Sequence, residues 1–251
     1  MAENEIPGEY QVQWAAATAA EDRFFDQNDV KALQQALDIW QELVQSGLPS
    51  APESFRWRVF DKLGLALFNL SRAENDPAHL ARAISIWEDV LTNVSVEPPV
   101  RQTVLLNLGI SVRTRFEVTG ALRALDSAIA VSKQAVAAMP EGYPYRASAL
   151  NTLGNDLRQR YERTRELGDL LAAIDRYGEA VELAQADPQE RAMYLSNRGV
   201  AYTDLFNAAH AAADLDQALR DHKRAVSQTL ATDPDLPSRR AYLANSLSAR
   251  Y

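Results

Sequence analysis

Apolar residues recur along the chain at helical rather than strand-like spacing. Residues spaced i, i+3, i+4 and i+7 lie on one face of an α-helix and form a buried stripe. Two clear stripes are Leu150, Leu153, Gly154 and Leu157, and Leu170, Ile174, Tyr177 and Val181. No segment shows the alternating β-branched pattern of a strand. The pattern predicts an all-α protein.

Helix-breaking residues separate the stripes. In "ADPQE" (186–190), Asp187 is expected as an N-cap and Pro188 as the first helical residue. Asp76 and Pro77 are expected in the same roles, and Pro and Gly mark residues 139–144 as a loop. These breaks predict antiparallel helices in pairs, each pair joined by a short turn.

The same residues return every 45 positions. One column is glycine, at Gly64, Gly109, Gly154 and Gly199, followed by Ala244. Others are arginine (Arg56, Arg101, Arg146, Arg191), leucine (Leu80, Leu125, Leu170, Leu215) and an aromatic residue (Phe116, Tyr161, Phe206, Tyr251). Unit two has Ser71 where the aromatic residue is expected. A fixed period of this size indicates a repeat array that fills the chain.

The columns divide residues 1–251 into five helix pairs and a final half unit. The pairs are predicted at about 9–46, 53–95, 98–138, 143–185 and 188–230, and the half unit at 236–251. That half unit corresponds to a first helix without a second. We expect it either to shield the end of the array from solvent or to continue into a longer protein.

A glycine inside each first helix has a packing explanation. Glycine costs about 1 kcal/mol relative to alanine in a helix interior, so its recurrence predicts that the partner helix crosses close by. Ala128, Ala173 and Ala218 are expected to form the facing surface. A phosphate-binding loop is excluded because these glycines lie within helices rather than after a strand.

Composition narrows the class of protein. The formal charge of −8 and the lack of a basic stripe argue against nucleic acid as a partner. There is no cysteine, no signal peptide and no apolar run long enough to span a membrane, so we expect a cytoplasmic protein with no membrane association.

The repeated phrases resemble the tetratricopeptide repeat, whose first helix carries Leu-Gly and a later Tyr. "LNTLGNDLRQRYERT" (150–164) is similar to a long variant of that repeat found ahead of CHAT domains, which are caspase-like proteases. The turn departs from that variant, because Arg165 replaces its glycine. The resemblance implies a right-handed α-solenoid of antiparallel helix pairs, and an effector domain attached beyond the C-terminus.

No catalytic or metal-binding cluster is found in the sequence. His79, His210 and His222 fall in different registers and are expected at the surface, whereas zinc or triad chemistry needs converging side chains. We therefore expect neither an enzyme nor a cofactor. For the arginine column we favour contacts with the end of the preceding helix over an anion-binding ladder.

By resemblance, ligands bind on a concave face formed by the first helices. The residues expected on this groove are Asp61, Leu65, Phe68, Leu106, Ile110, Arg113, Asn151, Asn155, Arg158, Gln159, Ser196, Thr203 and Asp204. Asn155 and Arg158 lie one turn apart, so they could hydrogen-bond a peptide backbone and hold a carboxylate of the same ligand. The alternative is that all these residues are only solvated.

One residue breaks the apolar pattern, since Arg198 stands in the column of Leu63, Leu108 and Leu153. We expect it to reach the surface or to meet a carboxylate, because a buried unpaired arginine is costly.

The leading hypothesis is a protein-interaction module that binds a peptide or partner protein and regulates an attached effector. The alternatives are a self-associating scaffold and a small-molecule sensor arm of a transcription regulator or signalling ATPase. A large apolar pocket lined by Phe68 and Ile110 would favour the sensor arm.

Overall fold

The computed structural model describes residues 6–48, 51–93 and 98–250, and the last aromatic of the repeat, Tyr251, lies outside them. A 3-10 turn at Gly8–Tyr10 is followed by eleven helices in these residues. They are α1 (Gln11–Gln27), α2 (Val30–Gln45), α3 (Glu53–Glu74), α4 (Pro77–Asn93), α5 (Pro98–Thr119), α6 (Leu122–Ala138), α7 (Arg146–Thr164), α8 (Leu167–Leu183), α9 (Pro188–Ala209), α10 (Ala212–Gln228) and α11 (Leu236–Ser248).

The all-α prediction is confirmed, with eleven helices and no strand among the described residues. The chain divides into two compact units, Met1–Ala124 and Leu125–Tyr251. Within these units, α1 packs on α2, α3 on α4, α7 on α8 and α9 on α10. A single array through residues 1–251, its right-handed sense and a regular structural period stay predictions.

An aromatic cluster forms the core of the first unit near its N-terminus. Trp14 contacts Trp40 edge-on at 5.0 Å between ring centroids, and Tyr10 stacks on Phe55 at 5.1 Å. The indole N–H of Trp40 donates to the buried carboxylate of Glu21 at 2.8 Å. Trp14 and Trp40 therefore serve packing, and the polar atom of Trp40 is satisfied within the core.

The glycines in the first helices mark a close approach, but the facing side chain differs from the prediction. A Cβ added to Gly64, Gly154 or Gly199 would lie 2.6 Å from a ring atom of Trp87, Tyr177 or His222, respectively. At each of these glycines, a planar ring from the second helix therefore packs directly against the backbone of the first helix. The predicted facing alanines Ala128, Ala173 and Ala218 are fully buried, but the atoms nearest to such a Cβ belong to the rings.

Each first helix of the five pairs ends at a residue with positive φ. These residues are Asn28, Asn75, Gly120, Arg165 and His210. In each case the backbone N–H donates to the carbonyl four residues earlier. Arg165 therefore adopts the left-handed conformation that Gly120 adopts, and the turn after α7 is only Arg165 and Glu166.

One member of the arginine column contacts the preceding helix as predicted. The guanidinium of Arg146 at the start of α7 donates to the carbonyl oxygens of Val136 (2.8 Å) and Met139, at the end of α6. Carbonyls at a helix C-terminus lack partners within the helix, so a cation there is favourable.

Candidate functional site

The first helices α7 and α9 of the second unit lie side by side and in matched register. The Nδ2 group of Asn197 donates to Oδ1 of Asn151 at 2.8 Å, and Nε of Arg158 donates to Oδ2 of Asp204 at 3.1 Å. Both bonds join residues 46 apart and lie two helical turns from each other. The two helices therefore run parallel over this length.

Arg158 is held between two carboxylates rather than left open for a ligand. Besides Asp204, its guanidinium pairs with Glu162 at 2.8 Å. Burial raises the pKa of Asp204, and the charge of Arg158 opposes that rise. A ligand at this position meets a cluster of one cation and two carboxylates, which carries one surplus negative charge.

Asn155 lies one turn before Arg158 and is half-buried. Its Oδ1 accepts a hydrogen bond from the hydroxyl of Tyr177 at 2.8 Å, and burial raises the pKa of that hydroxyl. The bond fixes the orientation of the amide and leaves its Nδ2 group as a donor.

The other predicted residues of this unit have less surface. Asn151 and Ser196 are buried, at 7% and 5% exposure, and Asn151 is bonded to Asn197 of α9. The Thr203 hydroxyl donates to the carbonyl of Gly199 at 3.0 Å and lies 3.2 Å from Ser246 Oγ. Gln159 is half-buried.

In the first unit Asp61 is also an inter-helix contact. It accepts hydrogen bonds from Trp87 Nε1 at 3.1 Å and from Asn107 Nδ2 at 2.8 Å, and burial raises its pKa. Leu65, Phe68, Leu106 and Arg113 are half-buried, whereas Ile110 is 51% exposed.

Two of the cavities occupy equivalent places, each between a helix-pair turn and the next first helix. One of 220 Å³ is lined by Ser71, Arg72, Asn75, Asp76, Pro77, Leu80, Thr114 and Val118. The other, of 440 Å³, is lined by Tyr161, Arg165, Leu167, Asp204, Asn207 and Ala208. Neither is lined by Phe68 or Ile110, the residues whose pocket would have favoured a small-molecule sensor.

Arg198 meets a carboxylate, which is one of the two outcomes expected from the sequence. Its Nε and Nη2 donate to the two oxygens of Asp221 at 2.7 and 2.8 Å, and the Asp221 side chain is fully buried. Sequence reasoning overlooked Asp221. A signal was present in the sequence, because Asp221 stands 45 residues after Arg176 and 90 after Val131. Asp221 therefore departs from its repeat column in the same unit in which Arg198 replaces a leucine.

His222 is not at the surface, which corrects the sequence prediction. It is 1% exposed, lies on Gly199 and stacks on Tyr242 with ring centroids 5.9 Å apart. Burial lowers its pKa to about 4 although Asp221 acts in the opposite direction. Its position in the column of Trp87 and Tyr177 was the available signal, since a buried ring recurs there.

The described residues hold neither a metal-type cluster nor a membrane-spanning helix. No cluster of three or more histidine, aspartate or glutamate residues has the arrangement of a metal site. None of the described helices combines the length and apolar character that crossing a bilayer requires.

Comparisons with known proteins agree with this geometry. The family described as the tetratricopeptide repeat matches residues 191–235. The chain is similar in structure to BtubC (BKLC) from P. vanneervenii, with 18% identity, a TM-score of 0.63 and coverage of 89% of this chain and 83% of that chain. No curated protein sequence matches significantly.

Two other solved structures are similar. The nearly identical TPR-like repeats of a putative kinesin light chain from Podospora anserina give 16% identity and a TM-score of 0.56, covering 86% of this chain and 96% of that chain. A double mutant of MamA RS-1 gives 17% identity and a TM-score of 0.54, covering 87% and 97%. Together these findings support an array of tetratricopeptide-type helix pairs.

Proposed function

We propose that the chain is a non-catalytic interaction module that binds a peptide or partner protein on the face formed by α7 and α9. The observation that carries the proposal is the matched parallel pair of first helices, which brings Asn155, Arg158 and Asp204 onto one surface. The repeat fold supports it, because stacked helix pairs bind partners through such surfaces.

The chemistry of this face suits an extended peptide with polar side chains. Asn155 offers an amide N–H, and Gln159 offers both a donor and an acceptor, so the two can bond a peptide backbone. The cluster of Arg158, Asp204 and Glu162 is charge-paired internally and carries one surplus carboxylate. We therefore expect a basic or hydroxyl-bearing side chain beside it rather than an acidic one.

The proposal is tested by selecting peptides from a displayed random library on the full chain. The selected peptides are then titrated by fluorescence polarisation against the double variant Asn155→Ala/Arg158→Ala. Asn155→Ala removes a donor to the peptide backbone, and Arg158→Ala removes the group that holds Asp204 and Glu162 in place, so binding should weaken at least tenfold.

Arg176→Ala is the matched control, because Arg176 lies on α8 in an exposed pair with Glu179 at 2.8 Å. It removes one arginine without touching α7 or α9. Circular dichroism of both proteins checks that folding is intact. Equal affinities for the double variant and the control would show that this face is not the binding surface.

Self-association is a second candidate function, favoured by apolar side chains on the final helix. Tyr242 and Leu247 of α11 are 42% and 37% exposed. If this helix joins two copies, sedimentation velocity should show a concentration-dependent dimer that Leu247→Glu abolishes. A monomer at every concentration would exclude this function.

The attached effector is a proposal that rests on the sequence resemblance. "LNTLGNDLRQRYERT" is similar to the long repeats that precede CHAT domains, so we propose that the array regulates such a caspase-like protease. Sequencing the gene and its neighbours tests this directly. A gene neighbourhood without a CHAT domain, on this polypeptide or on a partner encoded nearby, would contradict it.

A further inference from the structure

A side chain of the second helix α8 bonds the amide of Asn155 on the proposed binding face. The hydroxyl of Tyr177 donates to Oδ1 of Asn155 at 2.8 Å. We infer that Tyr177 is a positioning residue for ligand binding, because it turns the Asn155 amide so that this position takes a carbonyl oxygen of a bound peptide and rejects an N–H group. The inference rests on the proposed interaction function and names the chemical group that the face selects.

Packing holds this hydroxyl in place independently of its bond to Asn155. The Tyr177 side chain is 1% exposed, and its ring lies on the backbone of α7 at Gly154, where an added Cβ would be 2.6 Å from Cε1. The ring crosses α7 at a residue without a side chain, so its hydroxyl reaches the amide of the next residue. Asn155 therefore adjusts to Tyr177 rather than Tyr177 to Asn155.

The hydroxyl also lies near the charged cluster of the α7–α9 face. Arg158, Asp204 and Glu162 are among the charges that act on it. Burial raises the pKa of the Tyr177 hydroxyl, so the group stays protonated at neutral pH and keeps its donor hydrogen. A residue of the second helix thus takes part in a surface that the first helices form.

The direction of the bond decides what Asn155 offers to a ligand. An amide side chain has one acceptor oxygen and one nitrogen with two donor hydrogens. The oxygen is bonded to Tyr177, and Nδ2 donates to no residue in the part of the chain that the structure describes. A peptide carbonyl oxygen can accept from Nδ2, whereas a peptide N–H at the same place would face another donor.

The repeat shows that this amide and this hydroxyl occur together. The residue that follows the glycine column is, in chain order, Leu65, Ile110, Asn155 and Val200. The column of the ring on the second helix reads, in the same order, Trp87, Ser132, Tyr177 and His222. The amide stands only in the pair whose second helix supplies a tyrosine, and the other three residues after the glycine are apolar and need no polar partner.

Tyr177→Phe tests the role of the hydroxyl, since it keeps the ring and removes only the oxygen. The full chain is titrated by fluorescence polarisation with the tightest-binding peptide selected from the displayed library. Loss of the bond that orients the amide should weaken peptide binding about three- to tenfold. Tyr145→Phe is the matched control, because Tyr145 lies just before α7 and is 60% exposed. It should bind the peptide as the wild type does.

Modified peptide backbones identify the group that Asn155 bonds. An ester carbonyl is a weaker acceptor than an amide carbonyl, so one ester replacement should weaken binding to the wild type and cost less in Tyr177→Phe and Asn155→Ala. N-methylation of the same amide keeps the carbonyl and should affect all three proteins alike. An ester penalty equal in all three, or an N-methyl penalty confined to the wild type, would overturn the inference.

NMR of the free chain tests the orientation of the amide without a peptide. In Tyr177→Phe the Asn155 Cγ resonance should move more than the Nδ2 resonance, because the bonded oxygen is attached to Cγ. The reverse would place the nitrogen against the hydroxyl and overturn the inference alone. Unchanged peptide affinity in Asn155→Ala/Arg158→Ala would overturn the proposed function as well, so the two failures are distinguishable.

Discussion

His222 takes the place of an aromatic ring. Trp87 and Tyr177 lie on Gly64 and Gly154 in their helix pairs, and His222 lies on Gly199 in the same way. Its imidazole is planar and uncharged when buried, so it meets the packing requirement of the site. The difference from its counterparts is that a proton can bind to it.

We expect His222 to make stability depend on pH. Its pKa is about 4 in the folded chain, against an ordinary value of 6.5. Between these values the unfolded chain binds a proton that the folded chain does not, so the free energy of unfolding falls as the pH is lowered from 6.5 toward 4. The slope from one such group is at most about 1.4 kcal/mol per pH unit.

His222→Phe keeps the ring and removes the titration. Urea unfolding at pH 7, 6 and 5 should show a smaller decline for this variant than for the wild type. All other titratable groups are the same in both proteins, so the difference between the two curves isolates position 222. Parallel curves would contradict the assignment.

Between elements, the glycine positions set how closely paired helices pack. In Gly154→Ala the new methyl group would lie 2.6 Å from Tyr177 Cε1, closer than atoms in contact can be. The strain should destabilise the protein by about 1–3 kcal/mol, more than the gain of about 1 kcal/mol in helix propensity. Thermal unfolding should therefore show a lower Tm.

Gly168→Ala is the matched control. A Cβ at Gly168, in the first turn of α8, meets nothing within 4 Å, and its φ is not positive. This variant should be neutral or more stable by up to about 1 kcal/mol. If both variants shift Tm alike, close approach of a ring is not the reason for the glycine at 154.

The Arg198–Asp221 pair links α9 to α10 through a buried charge. Arg198→Leu restores the leucine of the other first helices but leaves the carboxylate of Asp221 buried without its cation. Breaking one side of a buried ion pair costs about 3–5 kcal/mol, whereas replacing both sides with apolar residues is often neutral.

The double variant Arg198→Leu/Asp221→Val copies the combination of Leu108 and Val131 in an earlier pair. It should recover most of the stability lost in Arg198→Leu. Denaturant unfolding of the wild type, both single variants and the double variant gives the coupling free energy between the two positions. Additive effects would show that the pair is not coupled.

Helical spacing and turn residues were enough to predict the helices and their order from the sequence. The close approach at the glycines was also predictable, because glycine has a cost inside a helix. The ring that faces each glycine was not, because Trp87, Tyr177 and His222 share a planar shape rather than a residue type. The aromatic residue of the first pair, Phe24, which lies four residues before Asn28, was missed because that pair lies 47 rather than 45 residues before the second.

The candidate site was predictable as a face but not as a set of contacts. The spacing placed Asn155 and Arg158 on the same side of one helix, which is a local property. Whether Arg158 is open to a ligand depends on Asp204 in the next first helix. The signal for that pairing was that Arg158 and Asp204 carry opposite charges and stand 46 residues apart, close to one repeat period.

At the scale of the molecule, stability should fall toward the final helix of the second unit. Within the described residues α11 packs on α10 and α9 only, whereas α9 packs on α7, α8, α10 and α11. In arrays stabilised by contacts between neighbouring helices, a helix with fewer packed neighbours opens more readily than one with more. Hydrogen–deuterium exchange should therefore be faster for the amides of α11 than for those of α9, and equal protection would contradict this.

The two bonds between α7 and α9 also restrict how the sequence can change. Asn151–Asn197 and Arg158–Asp204 fix the same offset at two levels, about 10 Å apart along the helices. One residue inserted in α9 between Asn197 and Asp204 would rotate everything after it by about 100°, so both bonds could not form together. Changes in length are therefore confined to the loops or to whole helix pairs, which makes duplication of complete pairs the natural way for such a chain to grow.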